Sequence, residues 1–367
     1  MLKYMQRVGE TLFSRLPFTE VDNLIFSQLS YCGYEKVRLP LPLRAINGHV
    51  SYGVMQKNKE LFSLAATLPR YSETLALCFA REFSKEETLQ FAAVTFLLPD
   101  GTAYVSFRGT DSTLVGWRED FMLSYATPVS AQLCAVEYLN RVGALLDCPL
   151  RVGGHSKGGN LAVFASAFCS QSVRKNIVEI YTNDGPGFEL QVIESEQYKA
   201  IRPLIKRYVP EGSIIGMLME QDSSYTVVDS SSVSLWQHNP YSWKTEGCGF
   251  VRKDRTSLMG DVMSESLRGW FRAMSPEKRR FLTETVFDAL QRDGAQTFDD
   301  VFKSPEALAS IAAAVKNLSP EDKAGLANLG ELFTKSLARG AVNAIKDRLT
   351  EDAEGIRYRL EEKFNGN

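Results

Sequence analysis

The chain has 367 residues, with 42 Lys and Arg against 44 Asp and Glu, so its formal net charge is −2. Its 44% hydrophobic and 23% charged residues are typical of a folded globular protein and exclude disorder, collagen and coiled coil as the main state. The balanced charge gives no electrostatic reason to expect a nucleic-acid partner.

The cellular location is predicted from the apolar runs, the first residues and the cysteines of the sequence. No uninterrupted apolar run reaches about 18 residues, so we predict no transmembrane segment. The first residues lack the hydrophobic region of a secretory signal. Six cysteines are scattered without a CxxC pair, which predicts reduced thiols, no zinc site and a cytoplasmic location.

The first 80 residues mix short helical patterns with turns. Apolar residues at helical spacing predict a helix over Phe18–Leu29, with Thr19 as its cap. Residues 90–250 then alternate strand and helix patterns, and Asp100-Gly101 predicts a hairpin turn. Alternation of this kind predicts a mainly parallel sheet covered by helices on both sides. The predicted strands lie near 91–98, 103–107, 149–154, 177–183 and 205–209, and the predicted helices near 129–146 and 157–170.

The remaining residues, 251–367, are rich in charge, Ala and Leu. Ser-Pro-Glu occurs at Ser275, Ser304 and Ser319, and a Ser cap followed by Pro and Glu predicts a helix start. We therefore predict two domains: residues 1–250, an α/β domain with a helical N-terminal segment, and 251–367, an all-helical module acting as a lid or partner surface. Seven apolar residues at helical spacing are interpreted first as core packing: Trp270, Phe271, Phe281, Leu282, Val286, Phe287 and Leu290.

The most informative motif is Gly154-His-Ser-Lys-Gly158, which fits G-x-S-x-G between a predicted strand and a predicted helix. This pattern is typical of the nucleophile elbow of the α/β-hydrolase fold, where glycines let strand and helix approach closely. Ser156 is the predicted nucleophile. The alternative is a glycine-rich turn with an inert serine.

A serine needs a base to accept its proton, and the chain has only three histidines. In this fold the acid and then the histidine follow the serine. His49 lies far upstream, and His155 is the neighbour of Ser156 and cannot turn back onto it. His238 is therefore the predicted base, in a loop after a β-like stretch at 233–236.

The acid is left open among four carboxylates. Asp184 is favoured because it follows the carboxyl end of a predicted strand, and Ser156 lies at the carboxyl end of another strand of the same sheet. Asp222, in a loop after the next strand, is the second choice. Glu211 and Asp229 are further alternatives.

An oxyanion hole is expected from the segment Phe107-Arg-Gly-Thr110, together with the N–H of Lys157 after the nucleophile. Phe107-Arg-Gly-Thr110, a following Trp and Asp, and Gly-His-Ser-x-Gly-Gly resemble the class 3 (fungal-type) lipases. The resemblance implies that Thr110 supplies one oxyanion contact and Lys157 the other.

Further motifs in order resemble a narrower bacterial family of α/β-hydrolases of unknown function, over about residues 15–250. They include Phe18-Thr-Glu-Val-Asp-Asn-Leu, Arg70-Tyr71, Gly116-Trp-Arg-Glu-Asp-Phe121, Asp184-Gly-Pro-Gly-Phe188, Ser213-Ile-Ile-Gly-Met-Leu218 and Gln237-His238 through Trp243.

Two departures from the lipase pattern matter. Lys157 replaces an apolar residue, and its side chain is expected to salt-bridge at the rim, contact substrate or point to solvent. Ser213 occupies the position of the lipase aspartate, which favours a relocated acid. Arg108 and Asp120 are interpreted as a structural ion pair, and Trp117 as a packing residue.

These features predict a serine hydrolase that cleaves a small-molecule or lipid acyl ester through a Ser-His-Asp triad, without metal or organic cofactor. Two alternatives remain: a catalytically silent hydrolase fold that acts as an interaction module, and an acyltransferase that uses the same residues.

Overall fold

The computed structural model describes residues 1–53, 55, 57–291, 294–297, 300–301, 313, 316, 318–320 and 322–323. Its described part contains a mixed sheet of nine strands in the order β1-β2-β3-β4-β5-β6-β7-β8-β11, and a separate β9–β10 pair. The strands are β1 (Leu41–Pro42), β2 (Leu75–Ser84), β3 (Leu89–Leu97), β4 (Ala103–Phe107), β5 (Leu150–His155), β6 (Ile177–Asn183), β7 (Ile205–Pro210), β8 (Tyr225–Val228), β9 (Thr245–Glu246), β10 (Gly249–Phe250) and β11 (Arg252–Lys253).

Strands β4 to β8 run parallel to one another, and β1, β2, β3 and β11 pair antiparallel at the two sides. The α-helices are α1 (Leu2–Val8), α2 (Glu20–Leu29), α3 (Leu43–Ile46), α4 (Lys57–Thr67), α5 (Pro69–Ser72), α6 (Leu114–Met122), α7 (Ser130–Leu145), α8 (Lys157–Phe168), α9 (Gln171–Arg174), α10 (Leu190–Ile193), α11 (Glu196–Ile201), α12 (Leu258–Arg272) and α13 (Pro276–Gln291). Short 3₁₀ turns lie at Arg202–Leu204, Ile215–Met217, Ser234–His238 and Pro240–Ser242.

Two apolar cores lie on opposite faces of the sheet. One face packs against α7, α8 and α11, the helices that connect successive parallel strands. The other face packs against α1 to α4, the N-terminal helices. Neighbouring strand residues separate accordingly, since Val105 and Phe107 face the first core while Tyr104 faces the second. A mainly parallel sheet with helices on both faces and a nucleophile elbow after β5 is the α/β-hydrolase fold.

The predicted elements of residues 90–210 are confirmed within about two residues, and Gly101 (φ 80°) turns the chain between β3 and β4. Thr19 caps α2 in a capping box with Asp22. The helical interpretation of the first 80 residues is wrong from Leu75 onward, because β2 begins there. Its half-exposed side chains, with charges such as Arg81, conceal the alternation of a strand.

The C-terminal helices are described only in part. Ser275 caps α13 through a hydrogen bond from Lys278 N, and Ser319 accepts one from Asp322 N, as two of the Ser-Pro-Glu motifs predict. Ser304 lies outside the described residues, and the predicted division at residue 250 stays a prediction. No helix in the described ranges is long and apolar enough to cross a membrane.

Candidate active site

Ser156 occupies a sharp turn between β5 and α8, with φ 58° and ψ −133°, a strained backbone conformation for a residue with a side chain. Glycines make the turn possible. A Cβ on Gly154 would lie 2.3 Å from the carbonyl carbon of Gly158, and a Cβ on Gly158 would lie 2.1 Å from the oxygen of Phe107. The G-x-S-x-G spacing is therefore required by the close approach of β4, β5 and α8.

His238 and Asp184 are in direct contact. His238 Nδ1 donates to Asp184 Oδ2 at 2.6 Å, and the Asp184 side chain is 1% exposed. A proton on Nδ1 leaves Nε2 of the neutral ring as the acceptor, the form that a general base requires. Among the described residues, no hydrogen bond joins Ser156 Oγ to His238. Such bonds often tighten only when substrate is bound.

The local structure around His238 differs from expectation. The predicted β-like stretch at 233–236 is wrong, because Ser234–His238 forms a short 3₁₀ turn with a hydrogen bond from Trp236 N to Val233 O. The stretch connects β8 to the β9–β10 pair without joining the sheet.

Asp184 is held from its other oxygen as well. Oδ1 accepts hydrogen bonds from Ser213 Oγ at 2.5 Å and from Gly216 N at 3.1 Å. Ser213, the residue that departs from the lipase pattern, thus orients the carboxylate of Asp184, which follows β6. Burial lowers the pKa of the nearby Arg207 to about 10, and the negative charge of Asp184 opposes that shift.

The other candidate acids have partners elsewhere. Asp222 forms an ion pair with Arg202 at 3.1 Å, and Asp229 pairs with Lys244 at 3.0 Å. Glu211 lies 4.0 Å from Lys253. In the described part of the chain, Asp184 alone among the four contacts His238.

His155 has a role that the sequence did not reveal. Its Nε2 lies 2.7 Å from the carbonyl oxygen of His238, and the two rings are 4.6 Å apart. Because a carbonyl only accepts, Nε2 donates, and Nδ1 accepts from Tyr31 OH at 3.3 Å. Burial first, and then the proximity of His238, hold the pKa of His155 well below its usual value. The neighbour of Ser156 therefore anchors the backbone of His238 as a neutral ring. His49 is exposed on the surface.

The expected oxyanion loop passes beside Ser156. A Cβ on Gly109 would lie 3.2 Å from Cβ of Ser156, so Gly109, the residue before Thr110, borders the nucleophile closely. Within the described chain, no hydrogen bond occupies the backbone N–H of Thr110 or of Lys157. Lys157 N–H belongs to the first turn of α8, whose amides have no partner in the helix. Neither amide therefore has a protein acceptor in this part of the structure.

The predicted Arg108–Asp120 ion pair is wrong. Arg108 lies 3.6 Å from Asp111 instead, and Asp120 Oδ2 accepts a hydrogen bond from Thr110 Oγ1 at 2.5 Å. Asp120 therefore orients the side chain of the expected oxyanion residue.

The side chain of Lys157 corrects a second expectation. It neither reaches the rim nor points to solvent, because it is 1% exposed and pairs with Glu119 at 2.8 Å. Its ammonium also donates to the carbonyl oxygen and to Oε1 of Gln90, both at 2.9 Å. An apolar position of the lipase pattern here holds a buried and fully hydrogen-bonded cation.

Burial raises the pKa of Asp120 to about 6, and the attraction of Lys157 opposes that rise. A raised carboxyl pKa means that the folded state resists ionisation, so stability falls as pH rises from about 4 to about 6. We expect Asp120→Asn to raise the free energy of unfolding at pH 7 by on the order of 1–3 kcal/mol. Urea unfolding at pH 3.5 and pH 7 measures this: the gain should shrink at pH 3.5, and an equal gain at both would contradict it.

Helix α13 packs against α6, the helix that follows the expected oxyanion segment. Trp117 packs beside Phe287 and Leu290, and the rings of Phe121 and Phe287 are 5.5 Å apart. The core-packing interpretation is confirmed for six of the seven apolar residues, while Phe281 is 57% exposed. A cavity of about 410 Å³ separates α12 from the loops after β6 and β7, and Phe188, Met219 and Phe271 contribute to its wall.

A model of the Mbeg1-like family matches residues 65–288. The chain belongs to the Mbeg1-like family. The match includes the turn at Ser156, the expected oxyanion segment, His238 and Asp184, and the greater part of α13. Curated proteins show no match to this chain.

Among solved structures, the Mbeg1-like chain is similar to several fungal lipases. The propeptide complex of Rhizomucor miehei lipase is 16% identical over 57% of this chain and 68% of its own (TM-score 0.37). A mutant form of MDLA from Penicillium cyclopium is 13% identical and covers 67% of this chain and 90% of its own, with a TM-score of 0.39. Yarrowia lipolytica LIP2 lipase is 14% identical and covers 71% of this chain and 90% of its own, with a TM-score of 0.37. These likenesses are remote, and the fold assignment rests on the sheet and the elbow.

Several residues of the Mbeg1-like site were missed as partners from the sequence: Glu119, Gln90 and Tyr31. Glu119 had a signal, since it belongs to Gly116-Trp-Arg-Glu-Asp-Phe121, a motif that carried the resemblance. The other two are distant in sequence: Tyr31 follows α2, which packs on β5, and Gln90 lies on β3, which β4 separates from β5. Only the tertiary fold brings them to the site.

Proposed function

We propose that this protein is a serine hydrolase that cleaves a carboxylic ester by acyl transfer to Ser156. The observation that carries the proposal is the contact of 2.6 Å between His238 and Asp184. The backbone of His238 is also hydrogen-bonded to His155, the neighbour of Ser156 in its strained turn. A serine at such a turn, with a base and a buried carboxylate nearby, is the arrangement used by serine hydrolases on many folds.

In the proposed reaction, Ser156 Oγ attacks the ester carbonyl carbon while His238 Nε2 accepts the serine proton. The amides of Thr110 and Lys157 stabilise the negative oxygen of the tetrahedral intermediate. Its collapse breaks the ester C–O bond, and His238 returns the proton to the leaving alcohol. Water, deprotonated by His238, then attacks the acyl-enzyme and releases the carboxylic acid and Ser156.

The substrate class is an acyl ester, either a small molecule or a lipid. Lipases are named among the solved neighbours, and a lipid ester is accordingly one of the two substrate types to test. Rates on model esters of increasing acyl length would identify the preferred chain.

A fluorophosphonate probe tests the nucleophile. Wild-type protein should be labelled, with Ser156 Oγ displacing fluoride from phosphorus, and Ser156→Ala should abolish both labelling and ester hydrolysis. The matched control is Ser166→Ala on the same helix, whose hydroxyl only donates to the carbonyl of Ala162 at 2.7 Å and whose loss should preserve labelling.

The remaining outcomes separate the alternatives. An unlabelled and inactive wild-type protein would contradict the enzyme proposal and favour an interaction module. Labelling with acyl products on an added alcohol or amine, in preference to free acid, would identify an acyltransferase.

We also propose a cytoplasmic location. All six cysteines are free in the structure, which is compatible with a reducing compartment. Fractionation of cells that express the full chain would test this location.

A further inference from the structure

Lys157 and Glu119 form an ion pair that is almost completely removed from solvent. Their side chains are 1% and 0% exposed, and Lys157 Nζ lies 2.8 Å from Glu119 Oε2. The other two ammonium protons go to Gln90. Glu119 is equally engaged, because Oε2 also accepts from Gln90 N at 3.2 Å and Oε1 accepts from Ala131 N at 2.9 Å.

Such a pair is poorly explained by stability alone. Removing two charges from water carries a large penalty, and apolar residues of similar volume often replace buried pairs without loss of stability. A buried ion pair differs from an apolar contact in its directionality. Fixed hydrogen bonds define the positions of the elements that carry them.

The elements joined by this pair carry both expected oxyanion donors. Lys157 itself presents one backbone N–H at the start of α8. Glu119 lies on α6 directly before Asp120, whose carboxylate holds Thr110, the residue with the other N–H. The dipeptide Glu119-Asp120 therefore contacts the side chain of each donor residue.

We propose that the Lys157–Glu119 ion pair is a positioning pair that fixes the Lys157 amide relative to the Thr110 amide. This inference rests on the proposed function. Neither side chain touches the substrate. The pair aligns two backbone donors, and misalignment weakens them mainly in the transition state, where the negative charge develops.

The decisive experiment compares single and double replacements. Lys157→Met and Glu119→Leu each leave one buried charge unpaired and should lower the denaturation midpoint strongly. The double variant Lys157→Met/Glu119→Leu should recover the part of that loss that the unpaired charge causes, although the amides of Gln90 and Ala131 still lack their acceptor. Its kcat on a model ester should nevertheless remain about 10- to 100-fold below wild type, with KM changed by less than about threefold.

A purely structural role predicts a different result, in which kcat returns together with the denaturation midpoint. That result would overturn the proposal. Ile177→Ala is the matched control: Ile177 is buried at the amino end of β6, away from Ser156, so this variant should lose stability and keep kcat.

Two further measurements keep the inference testable. Should the double variant not fold, Glu119→Gln can be compared with wild type in kcat and KM. Both oxygens of Glu119 accept from N–H donors, so the NH₂ group of a glutamine would face a donor and disturb the ion pair. A boronic acid that forms a tetrahedral adduct with Ser156 should bind more weakly to either variant by the same factor as kcat falls, and unchanged affinity would contradict positioning. Absence of fluorophosphonate labelling in the wild type would instead contradict the proposed function itself.

Discussion

Replacing Asp184 with asparagine is expected to lower kcat for ester hydrolysis about 10⁴-fold while the protein stays folded. The reason lies in the donors around the carboxylate. Oδ1 accepts from Gly216 N, which can only donate, so the oxygen of an asparagine amide must take this side. Its NH₂ group then faces His238 Nδ1.

This orientation forces the wrong tautomer on the imidazole. Nδ1 must accept, so the proton of the neutral ring moves to Nε2, and Nε2 can no longer accept the proton of Ser156. The effect should appear in kcat, since the ground-state complex makes little use of the base. Steady-state kinetics on a model ester would measure it, with circular dichroism as the check on folding.

Asp222→Asn is the matched control for Asp184→Asn. Asp222 pairs with Arg202 where both side chains are about half exposed, and it has no contact with His238. Loss of such a surface pair should change kcat by less than about twofold. A large loss with Asp222→Asn, together with a small one for Asp184→Asn, would assign the acid to Asp222.

The second large effect concerns stability and lies far from the serine. Arg70 and Asp22 form an ion pair in which both side chains are 0% exposed. Arg70 also donates to the carbonyl oxygens of Thr11, Leu16 and Pro17, so the pair ties the N-terminal turn to α2 and α5. Asp22→Asn is expected to lower the free energy of unfolding by about 3–5 kcal/mol, because it leaves a buried guanidinium without its counter-charge.

Urea unfolding at pH 7 measures this change. The comparison is Glu73→Gln, which breaks the Arg44–Glu73 pair at a site where both side chains are more than half exposed, and it should cost less than about 1 kcal/mol. Equal losses in the free energy of unfolding for the two substitutions would show that burial does not determine how much the Arg70–Asp22 pair stabilises the fold.

The parts of the fold that the sequence predicted are those with strong local signals. The elbow is local, since five consecutive residues specify the strained turn and the close packing around it. Helices and strands of the central region follow from their periodicity. The strand at Leu75–Ser84 was missed because it is half exposed and polar, and the β-like interpretation before His238 was wrong because local turn bonds override the preference of its side chains.

For the candidate site, elimination among three histidines already singled out His238 as a prediction, because few residue types can act as a base near neutral pH. The acid stayed open, because 44 acidic residues give no such restriction. Only the tertiary structure brings Asp184 to His238 and Ser213 to Asp184.

The sequence by itself therefore determined the fold class, the turn at Ser156 and the short list of candidate residues. Each depends on periodicity, on local backbone geometry or on the rarity of one residue type. The tertiary structure decided which carboxylate contacts His238. It also decided that Asp120 binds Thr110 and not Arg108, and that Lys157 is buried against Glu119. These contacts join residues on separate elements, and their distances depend on how strands and helices pack in three dimensions.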